Sequence, residues 1–353
     1  MYRYIGNKTK LAKDIVDKIE ELIGKNGSVA DIMSGTGAIS YELKERGYKV
    51  FASDIMGYSK FHLEVNLNMN SYPSFEKVSK ELNIDTDDYK ERYRACISYL
   101  NNLEGIEGYF FKEFSPDGEP QNGSPSRKYF SSDNAKKIDA IRKTLEYWEI
   151  NNIIDEKEIS LLKHSFILAA NRVANISGTY GYFLSKLSKN ALKPINLEFI
   201  HLNTNDNVGH TIQQGYAEEI SKNLKVDLCY IDPPYIKRQY AANYHILETI
   251  ARGDEPIAEG KSGLRPWRDQ YSNFCSKVKI RDSFTKIINN VETNIILISY
   301  SEDGLLSIEE LTEFLKNFGE VKINTIEYTR FKSNRSKLPS KIQEYLIELH
   351  KYK

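Results

Sequence analysis

Three observations predict an α/β fold in which a largely parallel sheet is assembled from both ends of the chain around a mostly helical insertion. A strand, helix, strand order lies near the start, and a run of short apolar strands fills the last third. Between them the composition changes, and the apolar residues follow a helical period.

Taken in order, Leu11, Ile15, Ile19 and Leu22 recur three to four residues apart, which predicts an amphipathic helix from Thr9 to Ile23, stopped by Gly24. "SVADIM" and "KVFASDI" then read as buried strands on either side of the helical "AISYELKERG". From about 71 to 205 the chain is rich in Tyr, Asn, Lys and Ser. Here the loop-like "FSPDGEPQNGSPSRKYFSSDN" precedes the helical "EKEISLLKHSFILAANRVAN". Strands resume at "VDLCYID", "TNIILISYS", "VKINTIEY" and "EYLIELHKY", with the helical "SIEELTEFLKNF" among them. The expected partition is residues 1–70 with 206–353 in the sheet domain, and 71–205 as the insertion.

A chain of 353 residues with 40% apolar and 28% charged residues has the composition of an ordinary globular protein. No apolar run approaches the roughly 20 residues that span a bilayer. The opening "MYRYIGNKTK" lacks the apolar segment of a signal peptide, so the cytoplasm is the expected location and no membrane is expected as partner. Cys96, Cys229 and Cys275 have no metal-ligand spacing and suit a reducing compartment, and His201, His210 and His245 are no better placed. Neither a metal nor a disulfide is expected. The 49 basic and 49 acidic residues balance, but "RFKSNRSKLPSK" holds Arg330, Lys332, Arg335, Lys337 and Lys341 with no acid. Such a patch binds phosphates or is simply a solvated loop.

Two short motifs carry chemistry. In "DIMSGTGAIS" a strand ends at Asp31, and Gly35 and Gly37, flanking Thr36, allow a tight turn into a helix whose first N–H groups face outward. No Gly-Lys-Ser/Thr follows, so this is not a phosphate loop, and Ser40 stands where a dinucleotide fingerprint has its third glycine. Asp54, at the end of the next strand, is placed to take both ribose hydroxyls of an adenosine, with Ile55 and Met56 beside the base. The alternatives are a structural turn and a helix cap. The second motif is "YIDPPY". Its prolines end an apolar strand and fix Asp232 and Tyr235 at the carboxyl end, where open α/β sheets keep their ligands. The Asp232 carboxylate and the Pro233 carbonyl, stiffened by the Pro233 and Pro234 rings, form two acceptors suited to the two protons of an exocyclic amine, and Tyr235 offers a face for stacking. A base inside a duplex reaches such a pocket only by flipping out. Together the motifs favour S-adenosylmethionine, because no phosphate-binding residue accompanies the glycine loop.

"RYIGNKTKL", "DIMSGTG", "ASDIM", "NRVANISGTYGYF", "YIDPPY" and "NIILISYS", in this order, resemble the alpha-class adenine-N6 DNA methyltransferases, which include Dam-like enzymes. The continuation "IKRQYAANYHILETIARGD" is most similar to modification methylases of type II and IIS restriction systems. The resemblance implies a Rossmann-like S-adenosylmethionine-dependent methyltransferase sheet, with residues 71–205 as the target-recognition insertion. It further implies transfer of a methyl group to N6 of a flipped adenine in double-stranded DNA. It places Tyr4 and Lys8 at the cofactor, Lys8 as a partner for the methionine carboxylate, with Asp31, Gly35, Thr36, Gly37, Asp54, Ile55 and Asp232. It makes Asp232, Pro233, Pro234 and Tyr235 the catalytic set, and lines the DNA with Arg172, Asn175, Arg238, Tyr240 and Asn243, joined by the basic Arg330, Lys332 and Arg335. Gln239 and Tyr244 stand in the same cluster as Tyr240 and Asn243, and Asn171 beside Arg172; core or capping roles are the alternative for Asn171 and Asn175, and packing for Tyr240 and Tyr244. In place of the acidic strand end that such enzymes often show before "DPPY", this chain has "HTIQQGYAEEI", so the contact to the cofactor's adenine is left unassigned. The expected partners are double-stranded DNA and a cognate restriction endonuclease, for a monomer or weak dimer. The alternatives are RNA adenine-N6 methylation, DNA cytosine-N4 methylation, and an inactive DNA-binding relative on the same scaffold.

Overall fold

The computed structural model describes residues 6–203, 209–329 and 341–352. Tyr4, Arg330, Lys332 and Arg335 lie outside the described residues. The described residues form two compact units, one made of 6–63, 209–240, 270–329 and 341–352, the other of 64–203 and 241–269.

The first unit is mixed α/β and holds a seven-stranded sheet. Its strands are β1 (Ser28–Asp31), β2 (Lys49–Asp54), β3 (Thr211–Gln214), β4 (Leu228–Ile231), β5 (Ile295–Ser301), β6 (Gly319–Thr329) and β7 (Lys341–Lys351), in the spatial order β3-β2-β1-β4-β5-β7-β6. The first five are parallel, whereas β7 runs antiparallel to both β5 and β6. A doubly wound dinucleotide sheet has the order 3-2-1-4-5-6, and here an antiparallel strand has been slipped in before the last one. The parallel strands are apolar because both faces are covered: Ala30, Cys229, Ile231, Ile296 and Ile298 share one core with Phe284, Ile287 and Leu311 of the covering helices. The helix Ala12–Ile23 buries Ala12, Ile15, Val16 and Ile19, and Gly24 ends it at φ +73°. The helix Ile308–Leu315 starts in a capping box, with Ser307 accepting from Glu310 N and Glu310 from Ser307 N.

The second unit is helical, with Tyr89–Asn102, Ser132–Ile150 and Glu156–Val173 as its long elements. The capped ends are legible in the sequence: Ser131 caps one helix, and Asp155 with Glu158 forms a capping box on another. Against the expected partition, the stretch 241–269 belongs to this unit. The helix His245–Arg252 buries Ile246, Leu247 and Ile250, the Nε2 of His245 donates to the Tyr180 carbonyl at 3.1 Å, and Tyr180 N donates to Asn243 O at 2.8 Å. No described helix is long and apolar enough to cross a membrane.

Candidate active site

In the sheet the strand order reverses between β1 and β4, so the crevice of the fold opens beyond the carboxyl ends of those two strands. Asp31 ends β1 opposite Tyr230 of β4, and Asp232 follows β4 directly. Both candidate acids are therefore neighbours by topology.

The turn after Asp31 is held by its own side chains. Ser34 Oγ donates to the Asp31 carbonyl at 2.6 Å, Ser34 N to Ser53 O at 2.9 Å, and Gly37 N to Ser34 O at 2.8 Å. Gly35 and Gly37 take φ of +54° and +79°, a region that favours glycine, and Gly37 starts the helix Ala38–Glu45. Asp54 ties the turn to the end of β2, since its Oδ2 accepts from Gly35 N and its Oδ1 from Met56 N, each at 2.8 Å. Asp54 thus fixes the shape of the loop from which the sequence motif expects cofactor contacts. The carbonyl of Ile55 accepts from Gln214 Nε2 at 3.2 Å and Gln270 Nε2 at 3.0 Å, which pins the next segment from two sides. Ile55 and Thr36 stay partly exposed, whereas Met56 is buried in the core and does not present itself to a base.

Asp31 is buried, with Oδ2 accepting from Ser40 Oγ at 2.6 Å and Oδ1 without a hydrogen-bond partner among the described residues. Burial above all pushes its carboxyl up to about 7, helped by the nearby Asp232 and Asp54 and opposed by Ser40 and Ser34. An orphaned carboxylate oxygen of this kind costs free energy unless something cationic or hydrogen-donating meets it.

Lys8 precedes the first helix, where Leu11 N donates back to its carbonyl at 2.8 Å. Its ammonium lies 3.0 Å from Asp232 Oδ1 and 2.8 Å from Glu344 Oε1, and 5.4 Å from the centre of the Tyr235 ring. Burial opposes the charge, but Asp232, Tyr235 and Glu344 together raise the lysine well above its ordinary value, so the ammonium stays protonated. Burial also pushes Asp232 up to about 6, against the pull of Lys8 and with the help of Glu344. Asp232 keeps 17% of its side chain exposed, while Lys8 keeps only 6%. The Lys8 ammonium, expected from the sequence to meet the methionine carboxylate, is thus shared by two carboxylates of the chain itself.

Pro233 is buried and Pro234 partly so, and the Pro233 carbonyl accepts no hydrogen bond from the described residues. Tyr235 accepts from Leu305 N at 2.9 Å through its carbonyl, and its ring meets Tyr300 edge-on at 5.9 Å. Gly6 passes so close beneath the Tyr235 and Tyr240 hydroxyls that an added Cβ would lie 3.3 Å from the Tyr240 oxygen. The first motif and the "DPPY" segment are thereby brought together, as are Lys8, Asp31, Asp54 and Asp232.

The candidate DNA residues divide. Arg238 is exposed and Tyr240 half-buried in the sheet unit, and the Gln239 side chain clamps Ser272 through two hydrogen bonds of 2.9 and 2.8 Å. In the helical unit Arg172 is exposed and forms a two-pronged ion pair with Glu198. Asn243 is buried with Nδ2 lacking a partner among the described residues. Asn175 is corrected: at 0% exposure its Nδ2 donates to the Lys128 and Leu184 carbonyls, at 2.9 and 3.0 Å, and its Oδ1 accepts from Ser188 N at 2.9 Å. It closes a loop, buried, with both of its N–H donors spent on backbone carbonyls. Tyr244 packs in the core against Tyr180.

Two parts of the site escaped the sequence. Glu344 has no motif; it is one of two buried acids, with Glu348, in the strand segment "EYLIEL". The edge strand β3 hides in "HTIQQ", four residues of which only Ile212 is strongly apolar, yet it pairs with β2 and ends beside Asp54, where Gly215 N donates to the Asp54 carbonyl at 3.0 Å.

Comparison with known proteins addresses the same residues from outside. Residues 4–314 match the family described as D12 class N6 adenine-specific DNA methyltransferase. Over 99% of its length the chain is 34% identical to the type II methyltransferase M.FokI of Planomicrobium okeanokoites and covers 52% of that protein. It is 32% identical to the type II methyltransferase M.NlaIII of Neisseria lactamica, with 99% of each chain covered. It is also 32% identical to the modification methylase StsI of Streptococcus sanguinis, over 52% of that chain. The chain thus spans about half of two of these relatives and nearly all of the third. With most of the chain matched, including both motifs that build the crevice, the protein belongs to the D12 class of N6 adenine-specific DNA methyltransferases.

Proposed function

We propose that the protein transfers a methyl group from S-adenosylmethionine to N6 of an adenine flipped out of double-stranded DNA, at a specific short sequence, as the modification enzyme of a restriction system. The observation that carries this reading is the meeting of Lys8, Asp232 and Tyr235 at the carboxyl end of β4, beside the Gly35–Asp54 turn. The residues fit the cofactor. Asp31 Oδ1, buried and without a partner among the described residues, suits the cofactor's ammonium, and Asp54 with Ile55 suits the adenosine. The Asp232 and Glu344 carboxylates share the Lys8 ammonium, and Asp31 lies near both Asp232 and Asp54, a balance that favours a cationic ligand over a phosphorylated one.

S-adenosylmethionine, when bound, supplies an electrophilic methyl on a sulfonium. The chain's own residues do the rest. An adenine amine is a poor nucleophile because its lone pair is delocalised into the ring. The Asp232 carboxylate and the Pro233 carbonyl accept hydrogen bonds from its two N–H groups and localise that pair. Tyr235 provides the stacking face that fixes the plane of the base, and Lys8 fixes the carboxylate. No strong base is required, since the nitrogen becomes acidic only after methylation, and Asp232 then takes the proton. The gain comes from orientation and electrostatics. Arg172, Arg238, Tyr240 and Asn243, together with the basic residues Arg330, Lys332 and Arg335, are the candidates for holding DNA.

The test is incubation with S-adenosylmethionine and genomic DNA from a methylation-free host, followed by mass spectrometry and mapping of modified positions. N6-methyladenine confined to one short sequence is expected. N4-methylcytosine, methylation of RNA alone, or a blank map would overturn the reading. Asp232→Ala should bind cofactor nearly as the native protein does while losing at least about 10²–10³ in transfer rate, the range seen when one such electrostatic partner is removed.

A further inference from the structure

Because β7 runs antiparallel to β5, its first residues lie at the end of the sheet where the parallel strands finish, and Glu344 stands opposite Ser301. Its side chain is buried, accepts from Ser299 Oγ at 2.8 Å and holds Lys8 Nζ at 2.8 Å. The same ammonium touches Asp232 Oδ1 at 3.0 Å. Two carboxylates that share one nitrogen lie within about 6 Å of each other, where each disfavours the ionisation of the other.

We propose that Glu344 is a positioning residue for methyl transfer: by sharing the Lys8 ammonium it keeps Asp232 a strong hydrogen-bond acceptor for the target amine. This rests on the reading of Asp232 as that acceptor. A carboxylate paired one-to-one with an ammonium spends its acceptor strength on the cation. Divided between two acids, Lys8 still orients Asp232 but holds it less tightly, and Ser299 keeps Glu344 at its post. The groups facing the Asp232–Lys8 pair are Asp31 at the end of β1, Tyr230 of β4, Tyr235 just beyond it, against Lys8, and Glu344 of β7. Lys8 is the cation of this set, and Glu344 acts on Asp232 both directly, as a like charge, and through Lys8.

Glu344→Gln keeps the shape and removes the charge. With cofactor saturating, its single-turnover rate at pH 8 should fall about 10-fold or more, while the acid limb of the rate profile moves down by about one pH unit. Slower transfer that persists to lower pH is a combination that simple structural damage does not produce. The Asp232 carboxyl of the cofactor-free protein, followed by ¹³C NMR and assigned with Asp232→Asn, should shift the same way. Calorimetric affinity for S-adenosylmethionine should stay within about threefold, less than 1 kcal/mol. An unchanged rate and limb, or a rate loss with the limb fixed or raised, overturns the proposal. Should Glu344→Gln not fold, Glu344→Asp, which draws the carboxylate back by one methylene, must show the same directions, and native rate and limb in that variant overturn it equally. Native protein that methylates no DNA removes the parent reading instead, whereas an active native protein beside a Glu344→Gln variant of native behaviour removes only the role of Glu344.

Discussion

Replacing Lys8 by Met keeps the volume of the stem and removes the one ammonium between two carboxylates. In the native protein burial pushes Asp232 up to about 6, with Lys8 pulling it down and Glu344 pushing it further up. Loss of a cation held at 3.0 Å raises a carboxyl by about 1–3 units, which carries Asp232 into the range of about 7–9. At pH 7.5 a carboxyl titrating near 8 is ionised in roughly a quarter of molecules, so protonation alone should slow transfer about fourfold. Lost orientation adds to this. The acid limb should rise by one to three pH units, and much of the rate should return at pH 9. Stability should follow with a definite sign. A carboxyl whose folded value lies above its unfolded value of about 3.9 loses stability as pH rises between the two, at about 1.4 kcal/mol per unit. In Lys8→Met that loss should continue to about pH 8, where for native Asp232 it ends near 6. Single-turnover rates and thermal melts between pH 5.5 and 9.5 measure both. A limb that stays put or moves down, together with a native pH dependence of the melting temperature, would refute the reasoning.

Three further outcomes are expected. Asp54→Ala removes the acceptor for Gly35 N and Met56 N, each at 2.8 Å, and should weaken S-adenosylmethionine binding about 10- to 100-fold by calorimetry, the worth of one or two charge-assisted hydrogen bonds; affinity within twofold of native takes Asp54 out of the cofactor site. Cofactor binding should release protons between about pH 5 and 7 and cease to do so above about 8, because an ammonium docking on Asp31 lowers a carboxyl that burial has pushed up to about 7. Calorimetry in buffers of different ionisation enthalpy reads this, and proton uptake or no exchange across that range contradicts it. Asn175→Ala, which strips three hydrogen bonds from a fully buried side chain, should cost about 2–4 kcal/mol of stability and leave the salt dependence of DNA binding unchanged; a shallower salt slope would restore Asn175 as a DNA contact.

Much of the fold could be read from the sequence because its signals are local. Gly24 ends a helix that Leu11, Ile15 and Ile19 had announced, Ser307 and Glu310 box the start of another, and apolar runs such as "LCYI" and "IILISYS" suit only strands covered on both faces. The strand β3 was not legible, because an edge strand with three of its four residues polar carries neither an apolar run nor a clean alternation. Its place depends on hydrogen bonds to β2, a non-local fact. The membership of 241–269 in the helical unit was equally hidden. It follows from the packing of Ile246, Leu247 and Ile250 and from the reach of His245 to the Tyr180 carbonyl, none of which leaves a mark in the order of residues.

The site was legible where residues act from the carboxyl ends of parallel strands. Asp31, Asp54 and Asp232 each end or follow such a strand, and a rule about strand ends finds all three. Glu344 defeats that rule because β7 is reversed, so the residue that reaches the crevice comes near the beginning of its strand. The reversal also hides the second partner of Lys8, whose ammonium meets Glu344 at 2.8 Å besides Asp232 at 3.0 Å. The Asp232 and Glu344 carboxylates outnumber the Lys8 ammonium they share, a balance that admits a cation more readily than a phosphate; on the proposed reading the adenine therefore enters as a base alone, its backbone kept outside.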